Sequence, residues 1–222
     1  MNTTATTHLH SVPALDSVAV YCAASSAIDP DFAEAARTIG RSLAENQLQM
    51  VFGAGRVGLM GESARACKTA GGRVIGITTT KLDAIEGASE YCDEVEIVEA
   101  MPERRSRMME LADAFVILPG GLGTYEEFFE VVVGRQLGDH SKPIVIVNHN
   151  HFYEPMIAMI EHGIEHKFIR PAIREALLVV DDAADALPAL MAYRPGRHDP
   201  ADFLYLPEEN DDDDDEILAR AS

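Results

Sequence analysis

The segment Ala114-Phe115-Val116-Ile117-Leu118, continued by Pro119-Gly120-Gly121-Leu122-Gly123-Thr124-Tyr125-Glu126-Glu127, constrains the fold more than any other stretch of the chain. Five consecutive apolar residues predict a strand buried on both faces, because a strand with one wet face would alternate. Three glycines within four positions then predict a turn that most side chains would block. Thr124 and two carboxylates open a helix that runs through Phe128, Phe129, Val131 and Val132. A strand, a glycine turn and a helix N-terminus present backbone N–H groups and the positive end of a dipole to an anion.

The same alternation runs through the rest of the chain. Ser17–Cys22 reads as a short strand. Asp29-Pro30 is a good N-cap and first-turn pair, followed by Phe32, Ala36, Ile39 and Leu43 at helical spacing. Leu48–Phe52 is a second strand, and Gly53–Gly61 is a second glycine turn. A helix then runs to about Ala70, and Arg73–Thr79 is a third strand. Lys81–Tyr91 has weak periodicity and is expected to be irregular. Val95–Val98 reads as an edge-like strand and Met101–Ala112 as a helix. Beyond the central segment come a buried strand at Pro143–Val147, an amphipathic helix at Phe152–His162, a strand at Leu177–Val180 and a helix at Ala183–Met191. This order predicts a single-domain α/β fold, a Rossmann-like doubly wound parallel sheet with helices on both faces. The expected layout is a disordered leader over 1–16, one nucleotide-binding catalytic domain over 17–192, and a loose Pro-rich and acidic tail over 193–222.

Charge and composition exclude several function classes. The net charge is −19, and the eight acids and one arginine between 208 and 222 leave −12 for the remainder. An acidic body without a basic stripe argues against a nucleic-acid partner. No apolar run reaches the ~20 residues of a membrane span, and Met1–Ser11 has no apolar signal region. Cys22, Cys67 and Cys92 are widely spaced and form no CxxC pair, which fits a reducing cytoplasm. The acid run Asp211–Asp215 reads as a solvated tail.

Gly53-x-Gly55-x-x-Gly58 matches a dinucleotide fingerprint, but it follows the second strand, and Thr78, Thr79 and Thr80 stand where a ribose-binding acid belongs. NAD binding is rejected, and tight turns suffice to explain these glycines. Arg104 and Arg105 open a helix, where the dipole disfavours them. Either they face something negative, or they lie on a solvated face paired with Glu103 or Glu110. His162-x-x-Glu165-His166 fits a zinc peptidase pattern. Gly163 weakens the helix that such a site needs, so no metal site is expected there. Asn148–His151 reads as a polar turn.

These motifs together resemble the LOG ("Lonely guy") family of cytokinin riboside 5′-monophosphate phosphoribohydrolases. Pro119–Glu127 is similar to its PGGxGTxxE signature, Met101–Arg105 to MHxRK, and Gly53–Gly61 to GGGxxGLMG. Val20–Cys22 with Ser25-Ser26 resembles its first-strand loop. Pro102 replaces a His, Arg105 a Lys, and Ala54 a Gly. The resemblance covers roughly residues 17–192. It implies hydrolysis of the N-glycosidic bond of an N6-modified adenosine monophosphate, releasing base and ribose 5-phosphate, with no cofactor and no metal.

The resemblance gives Arg104 and Glu127 catalytic roles. It assigns substrate contacts to Glu86, Arg104, Arg105, Gly120, Gly121, Leu122, Gly123, Thr124, Tyr125 and Glu126. Glu127 is expected in the first turn of its helix, where the dipole favours the charged form and makes it a poor general acid. The implied partners are a nucleoside 5′-monophosphate and a second copy of the chain, with the Phe128–Val133 helix either at that interface or packed on its own sheet. The alternative reading is a non-catalytic carrier of a nucleotide or phosphorylated cofactor on the same fold.

Overall fold

The computed structural model describes residues 15–194 and 200–203. The expected leader over 1–14 and the tail over 195–199 and 204–222 lie outside the described residues. In chain order the elements are β1 (Ser17–Tyr21), α1 (Pro30–Glu45), β2 (Gln49–Phe52), α2 (Gly58–Thr69), β3 (Val74–Thr79) and α3 (Thr80–Glu86). They continue as β4 (Glu94–Val98), α4 (Met101–Leu111), β5 (Ala114–Ile117), α5 (Leu122–Leu137), β6 (Ile144–Val147) and α6 (Glu154–Glu165). The chain goes on to α7 (Ile173–Ala176), β7 (Leu177–Val180) and α8 (Ala186–Ala192).

All strand pairs are parallel, in the order β4-β3-β2-β1-β5-β6-β7. The chain walks outward from β1 to β4, then returns to place β5 beside β1, with Val18 opposite Ala114 and Tyr21 opposite Ile117. Alternate strand residues feed two cores. Val18, Val20, Met50 and Phe52 meet α1, α2 and α8 on one face. Ala19, Tyr21, Ile77 and Ile117 meet α4, α5, α6 and α7 on the other. Both faces are therefore dry, which is why these strands read as continuous apolar runs. The fold class is the expected doubly wound α/β sheet.

Asp29 caps α1 by accepting from the Asp31 N–H at 3.0 Å, and Pro30 occupies the first turn. The structure departs from the sequence reading at Lys81–Tyr91. Thr79 Oγ1 accepts from the Leu82 N–H at 3.2 Å and starts the helix α3, which buries none of its residues. A helix without a buried stripe leaves no periodicity to read. The expected helix at Ala183 begins as a 3₁₀ turn over Ala183–Asp185 before α8. From the expected tail, Tyr193 stacks on the Arg135 guanidinium and Phe203 is buried in the core below α5. Among the described residues no helix is long and apolar enough to cross a membrane.

Candidate active site

The sheet order reverses between β1 and β5, and the loops leaving those strands part to open a crevice at their carboxyl ends. The Ala23 N–H donates to the Pro119 carbonyl at 3.1 Å, tying the two loops together at its base. Gly121 is the N-cap of α5, and the Tyr125 N–H donates to its carbonyl at 3.0 Å, the first bond of the helix. The N–H groups of Leu122, Gly123 and Thr124 precede that bond and point out of the helix end. Gly120 is required behind them, because a Cβ there would lie 2.1 Å from Thr124 Oγ1. Thr124 itself is buried.

Arg104 enters from α4. Its Nε donates to the Ile77 carbonyl at 2.9 Å, Nη2 to the Gly53 carbonyl at 3.1 Å, and Nη1 to Glu127 Oε1 at 3.3 Å. Gly53 has to be glycine for this to happen, since a Cβ would stand 1.8 Å from Nη2. The guanidinium thus joins the ends of β2 and β3 to α5. The first-turn placement that looked unfavourable is resolved by carboxylates of α5 rather than by Glu103 or Glu110. Glu103 accepts from the Glu99 N–H and Glu110 pairs with Arg107.

Glu127 does not lie where the sequence placed it. α5 begins at Leu122, so Glu127 is in the second turn, where the helix end has little influence. It is 5% exposed. Burial pushes its carboxyl up from 4.5 to about 7, with Arg104 opposing and Glu126 reinforcing the rise. The expectation that the helix dipole favours its charged form and makes it a poor acid at neutral pH gives way to desolvation, which raises its proton affinity.

Arg104 and Glu127 line the floor of a cavity of about 240 Å³, together with Cys22 and Gly53. Gly121, Gly123 and Thr124 at the start of α5 line it as well, as do Met60, Leu82 and Glu86. Of the expected substrate-contacting residues, Glu86, Arg104, Gly121, Gly123 and Thr124 therefore share one cavity. The others lie outside its lining. Gly120 supports Thr124 from behind, Leu122 is 84% exposed, and Tyr125 packs edge-on against Tyr153. Arg105 is bound to Glu126 at 2.9 Å and to Glu130 at 2.6 Å.

Sequence reasoning missed Gly53, Gly55, Met60, Leu82 and the Cys22–Ala24 loop. The signal was available for the two glycines, which end a parallel strand at the carboxyl edge. Ala54, where the family has glycine, adopts φ +60° and is buried, a left-handed conformation unusual for alanine. Pro102, which replaces the family's His, sits exposed in the first turn of α4, where no N–H is needed. His162, Glu165 and His166 do come together, with ligand atoms within 4.8 Å of one another, but all three are exposed at the far end of α6.

A family model described as "Possible lysine decarboxylase" matches residues 60–190. A cytokinin riboside 5′-monophosphate phosphoribohydrolase of Rhodococcoides fascians is 41% identical over 179 residues, covering 80% of this chain and 90% of that protein. The chain belongs to the LOG family. An Arabidopsis thaliana member of the same description is 35% identical over 178 residues, covering 80% of this chain and 82% of its own.

Among solved structures, the molybdenum cofactor binding protein of Rippkaea orientalis superposes with a TM-score of 0.63 at 16% identity, over 81% of this chain and 98% of that one. The molybdenum cofactor carrier protein of Chlamydomonas reinhardtii gives 0.62 at 17% identity, over 80% and 97%. At such identities the likeness is one of fold. The decarboxylase description of the LOG family model implies pyridoxal-phosphate chemistry at a lysine. Among the described residues no lysine lines this cavity, so the residues that do line it do not fit that group.

Proposed function

We propose that this protein hydrolyses the N-glycosidic bond of adenosine 5′-monophosphate or an N6-modified form of it, releasing the free base and ribose 5-phosphate. The observation that carries this reading is the buried Arg104–Glu127 pair on the floor of a cavity whose rim is a helix N-terminus. The activity named for the relatives at 35–41% identity supports it.

The phosphate would rest on the N–H groups at the start of α5, with the Thr124 hydroxyl as a further donor. The sugar then lies over Glu127. In its ionised form the carboxylate stabilises an oxocarbenium-like C1′ and takes a proton from the attacking water. The C1′–N9 bond breaks, its electron pair leaves with the base, and the hydroxide adds to C1′. A carboxyl group that titrates near neutrality can also give that proton up again, so Glu127 can return it to the departing base. Arg104 cannot act as an acid or base. Its fixed positive charge holds Glu127 in place and opposes part of the upward push of burial.

The acidic body, the unpaired cysteines and the absence of a membrane-spanning helix among the described residues support a cytoplasmic enzyme of nucleotides rather than a nucleic-acid or membrane partner. The homodimer is proposed through α5. Phe128, Val131 and Val132 are buried on its own sheet, while Leu122, Phe129, Val133 and Leu137 form an exposed apolar stripe on the other side.

Incubation with AMP and with N6-isopentenyladenosine monophosphate, followed by chromatography, tests the reading. Free base and ribose 5-phosphate are expected. Tight binding of both without release of base would replace the hydrolase with a carrier.

A further inference from the structure

Three metal-ligating side chains gather at the carboxyl end of α6, and none of them belongs to the lining of the Arg104–Glu127 cavity. His162, Glu165 and His166 are exposed, and their ligand atoms all lie within 4.8 Å of one another. The two imidazole rings are in edge contact, with centroids 4.3 Å apart. Positions three and four apart on a helix share a face, so all three side chains rise from one turn. Among the described residues none of the three makes a hydrogen bond or ion pair through its side chain. The neighbouring Glu161 differs, because it is committed to Arg174 at 2.9 Å.

Helical propensity argues against such a site, since Gly163 stands between the ligands. The structure gives Gly163 another task. The chain folds back over the helix end, where the Lys167 N–H donates to the Ile164 carbonyl at 3.0 Å and the Phe168 N–H to the Gly163 carbonyl at 2.8 Å. Lys167 takes φ +63°, and these two bonds are those of a Schellman cap. Ile169 then packs over Gly163, where a Cβ would lie 2.7 Å from its Cδ1. On the inner face Ile160 and Ile164 are buried in the core. The turn that carries the ligands is therefore fixed by its cap and by the core, and Gly163 is what lets the cap close.

We propose that His162, Glu165 and His166 bind a divalent first-row transition ion of the zinc class. Two imidazoles and one carboxylate suit zinc, copper or nickel, whereas magnesium and calcium prefer oxygen ligands alone. Ligands about 2.0–2.2 Å from a tetrahedral ion stand roughly 3.4 Å apart, so small rotations of exposed side chains close the three on one centre. The positive ion also sits at the negative end of the α6 dipole. Water or an outside ligand completes its coordination. No dry cleft encloses an ion held by exposed groups, so its role is to tie down the last turn of α6 and not to catalyse. The proposal is independent of the hydrolase reading.

The test is zinc titration calorimetry on the 222-residue protein, stripped of metal and without an affinity tag, beside the double variant His162→Ala/His166→Ala. His8, His10 and the acid run outside the described residues are present in both proteins, so the difference between the two isolates the site. The wild-type protein should bind one more equivalent of zinc than the variant, and excess magnesium should not displace it. His162→Ala alone should weaken that equivalent by at least about tenfold, since even outer-shell partners of a metal are worth that much. Zinc should raise the thermal transition of the wild-type protein by more than that of the double variant, as binding to the folded state requires. Coincident transitions of the two proteins without metal show that the variant folds. Equal zinc stoichiometry and affinity in both proteins, no zinc bound by the wild type, or displacement by magnesium would overturn the proposal.

Discussion

Arg104 Nη1 and Glu127 Oε1 meet 3.3 Å apart, with both side chains 5% exposed. The two residues are 23 positions apart and come from different helices. Two backbone carbonyls hold the guanidinium from behind, so it is fixed before any ligand arrives. The carboxylate is held in turn by a charge that cannot be removed, in a place where water cannot compensate it. Burial wins this contest, since the proton affinity of Glu127 rises despite the arginine. A fixed charge beside a carboxyl group poised near neutrality is a preorganised arrangement for acid–base chemistry.

If Glu127 starts the reaction ionised, kcat at saturating substrate should rise with pH through about 7 and level off above it. A pH profile of kcat between 5 and 9 checks this. A fall over the same interval would assign Glu127 the acid role instead. Glu127→Gln should lower kcat by at least about a thousandfold while the protein stays folded.

The same group predicts how stability varies with pH. Its folded value is raised above the ordinary 4.5, so its contribution is fully present below pH 4.5 and is lost as pH rises through about 7. The complete shift corresponds to roughly 3 kcal/mol. Denaturant unfolding of the unliganded protein should therefore show lower stability at pH 8 than at pH 5, and Glu127→Gln should flatten that slope. Equal slopes in both proteins would mean that Glu127 titrates normally.

Arg104→Gln removes the charge that lowers the Glu127 value and strips the Ile77 and Gly53 carbonyls of their donor. The midpoint of the kcat profile should move above 7 in any residual activity. Stability should fall by roughly 3 kcal/mol, the usual penalty for breaking a buried pair. Unfolding titrations and residual rates give both numbers.

Two neighbouring glycines should respond differently. Gly120→Ala drives a methyl into Thr124 and should destabilise the protein by about 1–3 kcal/mol. Gly123→Ala meets nothing within 4 Å and should leave the thermal transition in place. Because Gly123 lines the cavity, its new methyl should raise KM for the monophosphate. An unchanged KM would argue that the phosphate rests elsewhere.

Val133 lies 47% exposed on the outer stripe of α5. Light scattering should give the mass of two chains for the wild-type protein and of one for Val133→Arg, with stability changed by no more than about 0.5 kcal/mol in the monomer. A variant that remains dimeric would place the interface on another face.

Much of the fold was legible because both faces of the sheet are dry, which turns each strand into an apolar run between punctuating glycines. The helix α3 was invisible for the opposite reason, since none of its residues is buried and only the Thr79 cap marks its start. Pro119–Glu127 was legible as an anion-binding turn, because three closely spaced glycines after a buried strand serve few other purposes. The part played by Gly53 was not, since its missing side chain matters only to a guanidinium that arrives from a helix 51 residues later.

The sequence by itself determined the alternation of strands and helices, the glycine turns at the strand ends and the family to which the chain belongs. All three follow from local spacing, residue type and short motifs. The tertiary structure decided which turn residues face the cavity, and it set Arg105 and Glu126 against each other outside the cavity lining. It also decided the state of Glu127. A carboxyl group's proton affinity depends on the water it has lost and the charges packed around it. That environment exists only once α4, α5 and the ends of β2 and β3 have come together.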